Sequence, residues 1–143
     1  MTPGDKEILL KDLSARLSYD VKCYGYCFKI DGNHCECYGT LDSIKLGVWY
    51  PFHLSNRVSI NNGATYEETF SEVKPYLFPL SSMTEEQSKI YHEFVHGMFG
   101  TSVLINFEAL EDFFNENHFD YRGLINKGLA IDATNLNIYG KRI

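Results

Sequence analysis

The sequence predicts an α+β fold: one domain over residues 1–143, with a small antiparallel sheet of three to five strands. An N-terminal helix and a C-terminal group of three to four helices cover that sheet. Three observations predict this. Leu9, Leu10, Leu13 and Leu17 recur at helical spacing near the start of the chain. Residues 21–60 are rich in Val, Ile, Tyr, Phe and Trp and are broken by Gly25, Gly32, Gly39, Gly47 and Pro51, the pattern of short strands. From Thr84 onward, capping residues and apolar stripes of helical period return.

Taken in order, Thr2 and Pro3 suit a helix start, Thr as cap and Pro where a lost N–H costs nothing, so the first helix spans about residues 4–17. Strands follow at 21–30, 34–40 and 43–50, with weaker ones near 52–55 and 57–60. Asn61-Asn62-Gly63 ends the run. Residues 66–74 read as a short helix stopped at Lys74-Pro75, because the residue before a proline is pushed toward extended geometry. Thr84 with Gln87 is a capping box and opens a helix over about 85–98. Asn106 caps the next, about 107–117, with Phe107, Leu110, Phe113 and Phe114 on one side. Asp120 caps a shorter one, Tyr121 to Lys127, ended by Gly128. The tail GLAIDATNLNIYG alternates like a strand and returns to the sheet.

Composition bounds the function classes. The chain carries ten Phe and ten Tyr in 143 residues. Phe supplies core area, while many of the tyrosines suit half-buried positions with the hydroxyl in water. Charge is uneven: residues 1–63 hold seven basic and seven acidic side chains, and residues 64–143 hold six and twelve, so the net charge of −6 lies in the second half. That half repels a phosphate backbone, and no basic stripe with interleaved aromatics exists elsewhere, which argues against nucleic acid. No apolar run reaches the roughly 18 residues of a membrane span, and the N-terminus lacks a signal-peptide core, so the expected compartment is the cytoplasm without membrane contact.

Cys23, Cys27, Cys35 and Cys37 fall within one hairpin-like stretch. Their spacings, C-x₃-C and C-x-C, are not those of a four-thiolate zinc site, and buried thiols acting as small hydrophobes are the expectation. A three-residue loop over Asp31–Asn33 would set Cys27 opposite Cys37 and place all four on one face. A two-residue loop at Gly32-Asn33 would turn Cys27 to the other face.

Residues 92–96 read HEFVH, the pattern with which zinc hydrolases present two histidines to one metal and a glutamate to its water. At about 100° per residue from Ile90, the apolar side chains of Ile90, Tyr91, Phe94, Val95 and Met98 centre near ~75°, whereas His92 and His96 fall at about 200° and about 240°. The pair therefore faces away from the packing stripe. The alternative reading is a zinc-dependent hydrolase with Glu93 as base and His92, His96 and His118 as ligands, but His118 stands in no recognisable continuation of the motif. No glycine-rich phosphate loop or nucleophile elbow is present. The candidate interaction surface is aromatic: Trp49, Tyr50 and Phe52, where Pro51 interrupts the sheet, with Tyr76 and Phe78 further on. Arg122 is placed to hold a carboxylate on the 107–117 helix.

EVKPYLFPLSSMTEEQ (72–87) and HFDYRGLINKGLAID (118–132) resemble segments of small uncharacterised proteins encoded by phages and prophages of Bacteroides-type gut bacteria. EILLKDLSARLSYDVK (7–22) is similar to the start of the same group. The resemblance implies a cytoplasmic accessory protein of a mobile element and carries no catalytic residues with it. Together these readings predict a non-enzymatic protein-interaction module, without catalytic residues or cofactor, whose partner is a host or phage protein.

Overall fold

A computed structural model describes residues 2–28, 34–61, 67–96 and 107–140. The first helix, α1 (Pro3–Arg16), starts as the sequence predicts. The Thr2 hydroxyl accepts from the Asp5 N–H, and the Asp5 carboxylate accepts in return from the Thr2 N–H. This closes a capping box that satisfies N–H groups left orphaned by the helix start. A single 3₁₀ turn, Leu17–Tyr19, and a left-handed Asp20 then lead into the sheet.

Six strands build that sheet: β1 (Lys22–Phe28), β2 (His34–Ile44), β3 (Phe52–Ser59), β4 (Thr69–Phe70), β5 (Val73–Leu77) and β6 (Ile131–Asp132), in the order β4-β3-β2-β1-β5-β6. The α+β class stands, but two details differ from expectation. The sheet has six strands rather than three to five, and it is mixed: β6 runs parallel to β5, pairing Ile131 with Tyr76 and Asp132 with Leu77. A parallel neighbour needs a long crossover, and the two later helices, α2 (Glu85–His96) and α3 (Phe107–Glu116), lie within it.

Other boundaries move for local reasons. The predicted strands 34–40 and 43–50 become one long β2 that ends at Ile44. Residues 45–50 form a loop closed by the Lys45 N–H donating to the Pro51 carbonyl at 2.8 Å, with Gly47 at φ 84°. The two weak strands after Pro51 merge into β3, which carries a bulge at Asn56 (φ 51°) where its register with β2 shifts. The helix expected over 66–74 is absent from its described part, which holds β4 and β5 instead. Phe70 and Val73 are buried on the sheet, and the Phe70 ring occupies the space that a side chain on Gly25 would need. Residues 121–127 are turns, not helix: Gly123 at φ 74° breaks the helical path, although Asp120 still caps it, accepting from the N–H groups of Leu124 and Ile125 at 2.8 and 2.9 Å. The described C-terminal part thus contributes two α-helices rather than three to four. Asn106, expected as a cap, lies outside the described residues.

The hairpin register also differs from both alternatives. β1 and β2 pair Cys27 with Cys35 and Gly25 with Cys37, around residues 29–33, which lie outside the description. Cys23, Cys35 and Cys37 are buried. Cys23 and Cys37 pack with Leu9 and Leu13 of α1 and with Leu41, Leu54 and Phe70 in a first core on the inner sheet face. A second core gathers Tyr76, Phe78, Phe113, Phe114 and Phe119 under α2 and α3. Burial of this apolar surface is the main driving force for the arrangement.

Candidate functional site

The seven-residue loop between β2 and β3, Lys45–Pro51, cannot reach the core. Its ends are pinned by the Ile44–Phe52 pair and the Lys45–Pro51 hydrogen bond, and the sheet face beneath is already filled by α1. Its apolar side chains consequently stand in solvent: Trp49 is 89% exposed, Leu46 69% and Tyr50 60%, with Val48 also exposed. Beside them is a half-open groove of about 310 Å³ between this loop, α1 and the β4–β5 turn. Buried Leu9 and Phe52 form its floor, and Leu46, Trp49 and Pro51 its wall. Lys6 of α1 and Glu72 of the β4–β5 turn complete the lining; both are exposed, and neither makes an ion pair among the described residues. A desolvatable apolar surface with a polar rim is the composition of a protein-docking patch.

The five aromatic residues singled out from sequence therefore separate. Trp49 and Tyr50 are on the exposed loop, and Phe52 floors the groove beside them. Tyr76 and Phe78 are buried in the second core. Leu46, Leu10, Lys6 and Glu72 join the site without having been signalled, because their proximity depends on how α1 crosses the sheet.

On α2, His92, Glu93 and His96 are exposed, while Tyr91 and Phe94 pack on Phe114 and Phe113 with ring centroids 5.9 and 5.8 Å apart. The histidine rings stack on each other at 5.6 Å, on the outward side that the helical wheel assigns them. His118 belongs elsewhere: its ring lies 3.8 Å from that of Tyr139, and burial, with the positive charges of Arg16 and Lys22, pulls its pKa down to about 4. Among the described residues, no group of three or more His, Cys, Asp or Glu side chains could hold a metal ion.

The strongest electrostatic feature is internal. Asp12 and Arg16 are both 0% exposed and pair at 2.8 Å within α1. Arg16 also donates to the Phe119 carbonyl, and Arg122 donates to the other Asp12 oxygen at 3.2 Å. The Tyr121 ring lies against both guanidinium groups, 5.1 and 4.8 Å from its centroid. Arg122 thus holds a carboxylate of α1, not one of the 107–117 helix. The knot ties α1 to the segment after α3 and borders no groove described above, so its role is architectural. Around it, burial pushes the Cys23 thiol and the Tyr139 hydroxyl well above their usual ranges, which leaves both neutral.

No helix among the described residues is long and apolar enough to cross a membrane. No protein-family model matches the chain, and neither a curated protein nor a solved structure shows significant similarity to it.

Proposed function

We propose that this chain is a non-enzymatic protein-interaction module, docking a partner protein on the Leu46–Tyr50 loop and its adjoining groove. One observation carries the reading: an indole 89% exposed at the edge of an apolar groove, with Leu46 and Tyr50 exposed on the same loop. Trp is the residue type most enriched among the few side chains that dominate binding energy. Exposing it without a partner wastes apolar area that folding would otherwise bury. Its assignment as a cytoplasmic accessory protein of a mobile genetic element, with a host or phage protein as partner, is supported by the sequence resemblance at 7–22, 72–87 and 118–132. The excess acidic charge of the second half supports a protein rather than a nucleic acid as partner. The zinc-dependent hydrolase remains the alternative and rests on the His92, Glu93 and His96 spacing alone.

Affinity capture from host lysate with the intact chain and with Trp49→Ala tests the reading. A specific partner lost on substitution is expected, with binding weakened by at least about 2 kcal/mol, roughly 30-fold. Identical captures with both chains, or turnover of a small substrate by a chain that captures nothing, would overturn it.

A further inference from the structure

We infer that the groove between α2 and α3 is a second docking surface, and that its occupant is a basic amphipathic helix of a partner protein. The two helices run antiparallel. Gln87, near the start of α2, donates to Asn117, just past the end of α3, at 3.3 Å, and Phe94, near the end of α2, packs on Phe113 with ring centroids 5.8 Å apart. An open groove of about 620 Å³ runs between them, with Ile90, Phe94 and Phe113 as its apolar part. Ile90 belongs to the apolar stripe of α2 but stays 36% exposed. No residue of α2 is fully buried, whereas α3 buries Phe113, Phe114 and Asn115. The stripe on α2 is therefore only partly covered by the second core, and a third helix laid along the groove would bury the rest of it.

Charge selects the occupant. Glu86 of α2 and Asp112 and Glu116 of α3 line the same groove, all three exposed, and no Lys, Arg or His lines it among the described residues. None of the three carboxylates forms an ion pair among the described residues; Asp112 accepts a hydrogen bond from the Tyr19 hydroxyl at 2.7 Å. Carboxylates on both walls of an apolar seam repel an acidic segment and a phosphate backbone alike, and are complementary to Lys or Arg flanking an apolar helical stripe. The groove beside the Leu46–Tyr50 loop carries one charge of each sign, Lys6 and Glu72, and makes no such selection.

The test uses the full chain and three labelled synthetic peptides as long as α2: one with Leu at helical spacing and Lys between, one with Glu in place of Lys, and one with Ser in place of Leu. Fluorescence anisotropy is read at about 0.15 M salt, where exposed charges more than about 8 Å apart are screened. The Lys/Leu peptide is expected to bind at least about tenfold more tightly than either of the others. Glu86→Lys with Glu116→Lys weakens it at least about tenfold, and Ile90→Ser about fivefold. Glu7→Lys with Glu67→Lys makes the same change in net charge on exposed residues that do not line the groove, and weakens it less than about twofold. No binding of the Lys/Leu peptide up to about 500 µM, equal binding of the Lys/Ser peptide, equal losses from the two charge reversals, or an Ile90→Ser chain that binds as before each overturns the assignment. Loss of the peptide on Trp49→Ala would place it on the loop groove and overturn the assignment as well. The other failures leave the loop reading standing, because the two surfaces share no residue.

Discussion

Replacing Asp12 with alanine is the most severe single change the fold offers away from its hydrophobic core. The Asp12 carboxylate is the only acidic group contacting Arg16 and Arg122 among the described ion pairs, at 2.8 and 3.2 Å, and both Asp12 and Arg16 are fully buried. Its loss strands the Arg16 charge with one backbone acceptor, the Phe119 carbonyl; Arg16 Nη1 is already buried without a hydrogen-bond partner. Breaking a buried pair from one side costs about 3–5 kcal/mol. Arg122 is partly exposed and adds little to that figure, because water can replace its partner. Against a typical total stability of about 5–15 kcal/mol, the loss is large, a drop in Tm of roughly 6–20 °C for a chain of this size. Arg16→Met should cost less, about 1–3 kcal/mol, since it removes the buried charge, leaves Asp12 with Arg122, and takes one hydrogen bond from the Phe119 carbonyl, which still accepts from the Tyr121 N–H. Asp12→Leu with Arg16→Met should recover most of the loss, because an apolar pair can replace a buried ion pair almost neutrally. Urea unfolding followed by far-ultraviolet circular dichroism, at constant m, measures all three. The reasoning is refuted if Asp12→Ala costs under about 1 kcal/mol, or if the double replacement costs as much as the two single losses added.

Three further outcomes follow from the same geometry. Gly39→Ala should destabilise by about 1–3 kcal/mol and more than Gly25→Ala, because the new Cβ would sit 2.7 Å from the Ser55 carbonyl oxygen, whereas at Gly25 it meets a Phe70 ring that can turn; chemical denaturation ranks them. Because the folded pKa of His118 is lowered to about 4, its neutral form is the one the fold accommodates: stability is full above about pH 6.5 and is lost as pH falls toward about 4. His118→Asn, which tolerates the left-handed backbone at φ 60°, should remove about 2–3 kcal/mol of that slope, seen as a flatter urea midpoint between pH 4.5 and 7.5. Purified without a histidine tag, the chain should carry no stoichiometric zinc that His92→Ala with His96→Ala removes; one zinc per chain lost on that double change, by elemental analysis, would reinstate the hydrolase.

How much of the fold was legible depended on whether a signal was local. Thr2-Pro3, Thr84 with Gln87, and Asp120 each announce a cap through side chains within a few residues, and each forms the expected hydrogen bonds. The alternation in the tail likewise marked β6. What failed was non-local. Residues 69–77 look helical or extended in isolation and become β4 and β5 because Gly25 leaves room for Phe70 and because β1 accepts a new neighbour. Pro75 is tolerated there where β6 does not reach, which makes that part of β5 an edge. The parallel direction of β6 follows from the crossover between β5 and β6, which no short window contains. Gly123 was legible as a glycine but not as a left-handed residue that ends a helix before it begins.

The site was legible in proportion to how few partners each residue needed. Trp49 and Tyr50 stand out because they lie between Gly47 and Pro51, which keep them off the sheet, a fact of the local chain. Tyr76 and Phe78 share their composition and were grouped with them, yet they lie under α2 and α3, whose docking no local pattern specifies. The stretches that carry the resemblance, 72–87 and 118–132, build strand β5, the cap of α2 and the turn that Asp120 holds. Toward the Leu46–Tyr50 loop they form scaffold, and of their residues only Glu72 lines the groove there, with Leu9 and Leu10 joining it from the third stretch, 7–22. A scaffold constrained by buried charge and caps leaves an exposed loop as the part free to vary with its partner, because changing a solvent-facing indole costs the fold little. If docking is the function, stability and binding must therefore separate: Asp12→Ala should lower the urea midpoint with the surface chemistry unchanged, while Trp49→Ala should leave the urea midpoint in place and abolish association.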